Sequence, residues 1–504
     1  MRLPFPERLP FNRVVIFAGA LCAIQLLERT TLFFSLGCVA FILIAALAFN
    51  AAGGLTRASG AYVFAYSVLV VIIGICYKAF LGEPAQSNLI APQTDIEAYV
   101  GSIAAMYAAV IVSRRFSRKT GLLQNLLKES DMYHAFVGCI VFGATAGFAI
   151  ALLGESAAKL QSAFSQLNQL IPLGILIGVM YEIRRSGGTR CTNLPLMLGA
   201  AYLFFLGATG FSKQGMIEPF FCWLLPICAL RYRLSAVQMA SIVLAIFVVF
   251  HYLVPYSQYG RGLVPQGATL SDRVAVAIPL LEHPEETRRL FEEGEIAHAE
   301  IGEKGLSAYY NTPQGFWERL QFISVDDKLI DFTDQGHVFG LSPLKYAFIN
   351  FVPHVFWPNK PGLNPGYTYA LEIEGETPDP TGPQVGIAFS PTGEAYHLAG
   401  WTGILVIAPL LWCIFFIVFD SLVGDLRVTP WGLLALTAIS HAAPEAGVSG
   451  VINLFTIEAE ILVFCAFFST WFAPIVANAV LSPGRPKAQL RPLLQQGRTS
   501  PTPR

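Results

Sequence analysis

The chain has 504 residues, of which 54% are hydrophobic and 13% are charged, and its formal net charge is -1. Charged residues make up about a quarter of an average soluble domain, so this chain has about half the usual share. The mean hydropathy of +0.54 also marks the chain as apolar. This composition excludes a soluble enzyme, a nucleic-acid binder, a disordered chain and a secreted disulfide scaffold.

Twelve apolar windows follow one another along the chain and predict membrane-spanning helices. A helix needs about 20 mainly apolar residues to cross a bilayer. The windows lie at residues 13–27, 31–49, 61–81, 97–113, 134–154, 169–182, 193–209, 215–230, 235–254, 398–418, 430–446 and 455–478. We therefore expect an all-α polytopic membrane protein with about twelve transmembrane helices. The first, sixth and eighth windows are short, which leaves ten or eleven spans as the alternative.

The distribution of Lys and Arg predicts the orientation of these helices. If the N-terminus is cytoplasmic, 20 of the 33 basic residues fall in inside segments and only four fall in short outside segments. Cytoplasmic loops of membrane proteins carry such an excess. We therefore expect a multi-pass membrane protein with both termini inside.

One long segment, residues 255–396, separates the ninth and tenth predicted spans. It carries 19 acidic and nine basic residues. Because long loops are translocated regardless of their charge, we expect a large periplasmic loop. The predicted divisions are spans one to nine (1–254), the loop (255–396), spans ten to twelve (397–480) and a disordered cytoplasmic tail (481–504). All nine cysteines lie outside the loop, which indicates buried thiols rather than a disulfide framework.

Two parts of the loop carry structural predictions of their own. In residues 342–357, Leu344, Phe348 and Phe351 recur at helical spacing and predict a short amphipathic helix on the membrane surface. The adjacent carboxylates Asp326 and Asp327 are interpreted as a solvated turn.

Ionisable residues collect at the predicted outer ends of the spans. Such residues are costly at membrane depth and usually functional. Glu394, Tyr396 and His397 precede span ten at the expected height of the lipid headgroups, and His441 lies near the end of span eleven. The best-placed cations are Lys213, Arg261, Arg319 and Lys360.

This combination of groups suits a lipid-linked diphosphate sugar. Lys and Arg would hold the diphosphate and stabilise the charge that develops on it as a leaving group. Glu394, His397 or His441 would deprotonate an attacking sugar hydroxyl. Tyr367, Tyr369 and Trp357 are candidates for stacking on sugar rings, although an anchoring role at the membrane interface is an equal alternative.

Two stretches resemble a known family. The sequence INFVPHVFWPNKPG at 349–362 and the sequence IAFSPTGEAYHLAGWTG at 387–403 are similar to motifs of the O-antigen polymerase (Wzy-type) family of repeat-unit polymerases. The turn TGFSKQG at 209–215 also resembles a turn of that family and of the related O-antigen ligases. His354 stands where the family usually has arginine.

The resemblance implies a metal-independent, inverting glycosyltransferase that needs no cofactor. Its donor would be an oligosaccharide repeat unit on undecaprenyl diphosphate, and its product would be an O-antigen, exopolysaccharide or capsule. Implied partners are the bilayer and the flippase and chain-length regulator of the same pathway, with no nucleic acid. From the residues and the resemblance together, the predicted catalytic residues are Glu394, His397 and His441; the predicted substrate-binding residues are Lys213, Arg261, Arg319, His354, Lys360 and Tyr396.

Two other functions stay open from the sequence. A ligase-like transferase of lipid-linked glycans would share the same architecture and differ only in its acceptor. A polysaccharide exporter or flippase would need charged residues through the middle of its spans, where this sequence has few.

Overall fold

The computed structural model describes residues 1–153, 165–264, 268–300, 309–312, 314–352, 357, 360–361, 365–374 and 387–481. It is 78% helical, and those residues form no strand. The expected all-α class is therefore confirmed. His354 and the basic tail after residue 481 lie outside the described residues.

Eighteen helices of the described ranges are used below, and four of them contain π-helical segments. They are α1 (Phe11–Leu27), α2 (Leu32–Ala52), α3 (Ala58–Leu81), α4 (Pro92–Phe116), α5 (Met132–Leu153), α6 (Leu170–Arg185), α7 (Leu194–Thr209), α8 (Lys213–Ala229), α9 (Ala236–Leu263), α10 (Leu270–Glu282), α11 (Pro284–Glu300), α12 (Ile323–Asp334), α13 (Ser342–Asn350), α14 (Pro365–Glu374), α15 (Pro391–Ala399), α16 (Gly403–Val423), α17 (Pro430–Glu445) and α18 (Gly447–Leu481).

Seven helices are long and apolar enough to cross a membrane, namely α2, α3, α4, the helix Glu129–Ala149 that includes most of α5, α9, α16 and α18. The chain is therefore a multi-pass membrane protein. Each of the other predicted windows also coincides with a helix, but α1, α6, α7, α8 and α17 are only 16 or 17 residues long. The number of true spans stays a prediction.

Local sequence signals explain where several of these helices begin. The side chains of Asn193 and Ser212 accept hydrogen bonds from the first-turn N–H groups of α7 and α8. Ser235 and Gln238 form a reciprocal capping box at the start of α9. Such caps satisfy backbone donors that have no partner within the helix, and in a lipid environment an unsatisfied donor is especially costly.

The connecting segments that carry most of the basic residues pack together at one end of the helices, which we call the basic end. There the N-terminal amine donates to the carbonyl of Leu234 at 2.8 Å. Arg57 donates to the carbonyl of Lys119 at 3.0 Å, and Arg427 pairs with Asp425. Segments that the sequence assigned to one side of the membrane therefore meet at one end of the structure.

The long segment after α9 packs at the opposite end, which we call the loop end. The Tyr309 hydroxyl donates to the carbonyl of Ala85 at 2.7 Å. Asp327 accepts hydrogen bonds from the backbone N–H groups of Ile90 and Ala91 at 2.6 and 2.8 Å, just before α4 begins. The segment is therefore fastened to the connection between α3 and α4.

The interpretation of Asp326 and Asp327 as a solvated turn is wrong. Both residues are buried within α12, with exposed fractions of 0% and 1%. Their helical spacing places them beside the apolar residues Ile323 and Ile330, which are also buried. A buried carboxylate needs hydrogen-bond donors, and both residues have them, as described below.

The start of span ten also differs from the prediction. Residues 391–399 form the separate helix α15, and α16 begins at Gly403. Gly400 separates the two helices with a φ of +58°, a backbone conformation that glycine adopts without strain. Residues 390–398 are buried in protein, so α15 is an internal helix.

The predicted helix after Ser342 is present as α13 and ends at Asn350. Its apolar side chains are divided between two environments. Ala347 is buried, whereas Phe348 and Phe351 are about half exposed. The location of α13 on a membrane surface stays a prediction.

Candidate functional site

Glu394 lies on α15 and caps the first turn of α18. Its Oε2 atom accepts the backbone N–H of Ser449 at 2.7 Å, and its Oε1 atom accepts the Ser449 hydroxyl at 2.8 Å. The backbone N–H of Val448 and the Tyr369 hydroxyl also donate to this carboxyl group. Gly447 permits this approach, because a Cβ atom there would lie 2.2 Å from Oε2.

Two opposing effects act on the ionisation of Glu394. The side chain is 2% exposed, and burial raises the pKa of its carboxyl group, while the hydrogen bonds from Ser449 and Tyr369 lower it. Burial is the larger effect, so the pKa is raised. The hydrogen bonds from the backbone N–H groups of Val448 and Ser449 also make Glu394 a cap of α18.

His397 is enclosed by aromatic rings one turn further along α15. Its ring centroid lies 5.5 Å from that of Tyr369 and 6.1 Å from those of Phe332 and Phe339. Burial lowers the pKa of His397 to about 4, so the imidazole is neutral near pH 7. Tyr369 contacts both His397 and Glu394, which brings these two predicted residues together.

Thr333 holds the imidazole ring of His397. The Thr333 hydroxyl lies 2.8 Å from Nδ1 of His397 and 2.6 Å from the carbonyl oxygen of Leu329. Nε2 of His397 is buried without a hydrogen-bond partner among the described residues.

Tyr396 connects α15 to α12. Its hydroxyl donates to Oδ1 of Asp334 at 2.7 Å, and its ring lies edge-on to Trp401 at a centroid distance of 6.0 Å. Both burial and the bond to Asp334 raise its pKa, to about 12. These contacts give Tyr396 a structural role, and its predicted role in substrate binding stays a prediction.

His441 and Glu445 lie one turn apart at the end of α17, where Nδ1 of His441 contacts the Glu445 carboxylate. Their side chains are 50% and 38% exposed. Glu218 of α8 and Glu458 of α18 lie close enough for their charges to act on His441. Because α18 begins at Gly447, Glu458 lies about three turns inside that helix rather than at the start of a span.

Lys213 is the first residue of α8 and follows a firmly held turn after α7. The carbonyl of the preceding Phe211 accepts the Ser257 hydroxyl at 2.6 Å and Nη2 of Arg261 at 3.2 Å. Ser212 caps α8 by accepting the N–H of Gly215 at 3.1 Å. The turn therefore presents Lys213 from a defined backbone, next to Arg261 of α9.

Four charged residues from four segments of the chain converge at this turn. The charges of Arg319, Glu445 and Arg261 all act on the Lys213 ammonium. Lys213 is half-buried, and the two arginines are exposed. Three of the predicted cations therefore share one neighbourhood, beside the pair of His441 and Glu445, and their mutual repulsion favours the binding of an anion there.

Lys360, the fourth predicted cation, has a different environment. Its ammonium group donates to the carbonyls of Asn350 and Val352 at 3.1 and 3.0 Å. These carbonyls lie at the end of α13, so Lys360 caps that helix. His354 lies outside the described residues, and its predicted role stays a prediction.

The sequence interpretation missed Asp326 as a residue that positions this region. Asp326 accepts hydrogen bonds from the Tyr99 hydroxyl at 2.6 Å, from the backbone N–H of Ser390 at 3.0 Å and from the Ser390 hydroxyl. Burial raises the pKa of Asp326 and of Asp327 to about 6 in each case. The helical spacing of the pair with Ile323 and Ile330 was the signal that could have revealed their burial.

Within the described ranges, no group of three or more His, Cys, Asp or Glu side chains is arranged to hold a metal ion. The nine cysteines are all free thiols. Metal-independent chemistry stays a prediction.

No protein family model, no curated protein and no solved structure matches this chain.

Proposed function

We propose that this protein polymerises undecaprenyl-diphosphate-linked oligosaccharide repeat units into a surface polysaccharide. The reaction takes place at the periplasmic face of the bacterial inner membrane. The observation that carries the proposal is the convergence of Lys213, Arg261 and Arg319 beside the pair of His441 and Glu445. An anion-binding group next to a candidate base is the arrangement that glycosyl transfer from a lipid diphosphate requires.

The proposed topology has twelve spans with both termini in the cytoplasm. The basic end then faces the cytoplasm, in agreement with the usual excess of Lys and Arg on that side. The loop end, with Lys213, Glu394 and His441, faces the periplasm. In this topology the cation cluster lies at the depth of lipid diphosphates in the outer leaflet.

The cations act on the donor. Lys213, Arg261 and Arg319 bind the diphosphate through charge-assisted hydrogen bonds. A bond forms between the anomeric carbon of the donor and the acceptor oxygen while the bond from that carbon to the diphosphate oxygen breaks. The electron pair of the broken bond leaves on undecaprenyl diphosphate, whose growing charge the three cations stabilise.

Among the three predicted bases, we assign the proton transfer to His441. Its Nδ1 atom pairs with Glu445, which leaves Nε2 to accept the proton of the acceptor hydroxyl, and the positive charge that results is stabilised by Glu445. Glu394 is engaged in capping α18. His397 is buried, with an exposed fraction of 1%.

The lipid-linked glycans of a deletion strain test the function. Loss of polymerisation leaves single repeat units attached to the lipid or to the final acceptor, with no ladder of longer chains. Intact polymer that stays on the lipid identifies a ligase instead. Repeat units that are never exposed to the periplasm identify an exporter or flippase. Complementation with the wild-type gene must restore the original profile.

A further inference from the structure

A pocket of about 220 Å³ lies between α14, α15 and the junction of α17 with α18. Its lining includes Tyr369, Phe389, Glu394, Glu445, Ser449 and Asn453. None of the functions assigned so far uses this space. Its volume is below the range of about 300–1,000 Å³ that is common for drug-sized ligands, which favours an occupant of one ring.

The polar groups of the pocket are mainly hydrogen-bond acceptors. The carboxyl groups of Glu394 and Glu445 line it together with Asn453. Oδ1 of Asn453 is buried and has no hydrogen-bond partner within the described ranges. A buried acceptor of this kind is costly unless a ligand or water donates to it. The two carboxyl groups disfavour an anionic occupant.

The apolar part of the pocket is aromatic. The rings of Tyr369 and Phe389 lie edge to face at a centroid distance of 5.0 Å. Aromatic side chains offer a broad apolar surface for a flat ligand, and sugar rings present C–H groups on one face and hydroxyl donors at the edge. Acceptors and aromatic rings together fit an uncharged sugar.

Glu445 belongs both to this pocket and to the cation cluster. It lines the pocket, its carboxylate pairs with His441, and its charge acts on Lys213. A ring in the pocket would therefore share Glu445 with the group that holds the diphosphate.

We propose that this pocket binds the acceptor sugar, an uncharged hexose or N-acetylhexosamine whose hydroxyl groups donate to Glu445 and Asn453. The proposal rests on the proposed function. It separates an acceptor subsite, built by α14, α15 and α18, from a donor subsite, built by the turn before α8, by α9 and by Arg319. The specificity for the terminal sugar then depends on the pocket and not on the cations.

Saturation-transfer NMR on the purified full-length protein in lipid nanodiscs tests this assignment. The probes are free glucose, galactose, N-acetylglucosamine, N-acetylgalactosamine and glucuronate. We expect at least one of the four neutral sugars to give a signal with the wild-type protein, at least fivefold stronger than that of glucuronate. The absence of any signal from the neutral sugars, or an equal signal from glucuronate, would overturn the proposal without any variant.

Two variants then locate the binding. Ala388 is exposed and lines the pocket, so Ala388→Trp fills the space, while Asn453→Leu removes the acceptor at similar volume. We expect each to weaken the signal at least fivefold while Lys345→Ala, at an exposed position of α13, leaves it unchanged. The melting temperature of each variant shows that it is folded, and wild-type signals from folded pocket variants contradict the proposal.

Polymer formation in cells separates this inference from the proposed function. If the deletion strain still makes its full polymer, the proposed function is wrong. Sugar binding in the pocket is tested separately, by the NMR result. If Lys213→Ala abolishes the polymer but Ala388→Trp makes a normal ladder, the function stands and the acceptor pocket is refuted.

Discussion

The carboxylate of Glu394 accepts both the backbone N–H and the hydroxyl of Ser449, at 2.7 and 2.8 Å. The two residues are 55 positions apart in the chain. This contact joins the internal helix α15 to the first turn of α18, where a helix has N–H groups without an internal partner. A carboxylate is also stabilised at that end by the helix dipole. Glu394 therefore holds together two walls of the candidate site.

Substitution of Glu394 distinguishes a cap from a catalytic base. Glu394→Gln keeps one oxygen that can accept from Ser449, so we expect it to make polymer at reduced stability. Glu394→Ala leaves the N–H groups of Ser449 and Val448 buried without a partner, at a cost of about 1–3 kcal/mol for each group. We expect lower protein abundance and little polymer. The measurement is a polysaccharide ladder with a parallel immunoblot, and a well-folded but inactive Glu394→Gln would identify Glu394 as the base.

Stability at acidic pH reports on His397. Its pKa is about 6.5 when unfolded and is lowered to about 4 in the folded protein by burial. Between these values the unfolded chain binds a proton that the folded protein does not. This contribution to stability is therefore present above pH 6.5 and is lost as the pH falls to 4, by on the order of 3 kcal/mol.

The variant His397→Phe isolates this contribution, because phenylalanine fits among Phe332, Phe339 and Tyr369 and does not titrate. We expect the melting temperature of the purified protein to fall less steeply from pH 7 to pH 4 in the variant than in the wild type. Parallel curves for the two proteins would mean that His397 already titrates normally in the folded state.

Removal of a cation from the cluster tests the donor subsite. We expect Lys213→Ala and Arg319→Ala each to lower polymer formation 100- to 1000-fold, because the loss of one contact to a developing anion costs about 3–4 kcal/mol. Protein abundance should be unchanged. Lys345→Ala is the matched control, since Lys345 is exposed on α13. Near-normal polymer in both cluster variants would exclude these residues from the site.

Substitution of His441 tests the assigned base. We expect His441→Ala to abolish polymer while lipid-linked repeat units accumulate, because the acceptor hydroxyl loses its proton acceptor. Glu445→Gln keeps the shape of the pair but removes the charge that stabilises the imidazolium, so a smaller loss is expected. The readout is the rate of chain elongation in membranes with the source strain's own lipid-linked donor. A normal rate in His441→Ala would return the role to Glu394 or His397.

A matched pair of cysteines tests the orientation. Ser342 is exposed at the loop end and Ser130 is exposed near the basic end. In a background without the nine native cysteines, we expect Ser342→Cys to react with an impermeant maleimide in cells whose outer membrane has been permeabilised. Ser130→Cys should react only after the inner membrane is opened. The opposite labelling pattern would reverse the topology and move the site to the cytoplasm.

The sequence by itself determined the helices and the grouping of their ends. Membrane helices satisfy their backbone hydrogen bonds internally, so an apolar window and its caps are local properties. Each of the twelve predicted windows coincides with a helix for this reason. The segregation of Lys and Arg, likewise readable along the chain, corresponds to the basic end of the structure.

Only the tertiary structure decided which polar residues meet. Lys213, Arg261, Arg319 and Glu445 come from four distant segments, and no spacing along the chain relates them. The partner of Glu394 is 55 residues away. The donors to Asp326, namely Tyr99 and Ser390, are 227 and 64 residues away, so the local sequence around Asp326 indicates only a solvated turn. A carboxylate is stable in a buried position only when such distant donors converge on it, and their convergence is a property of packing.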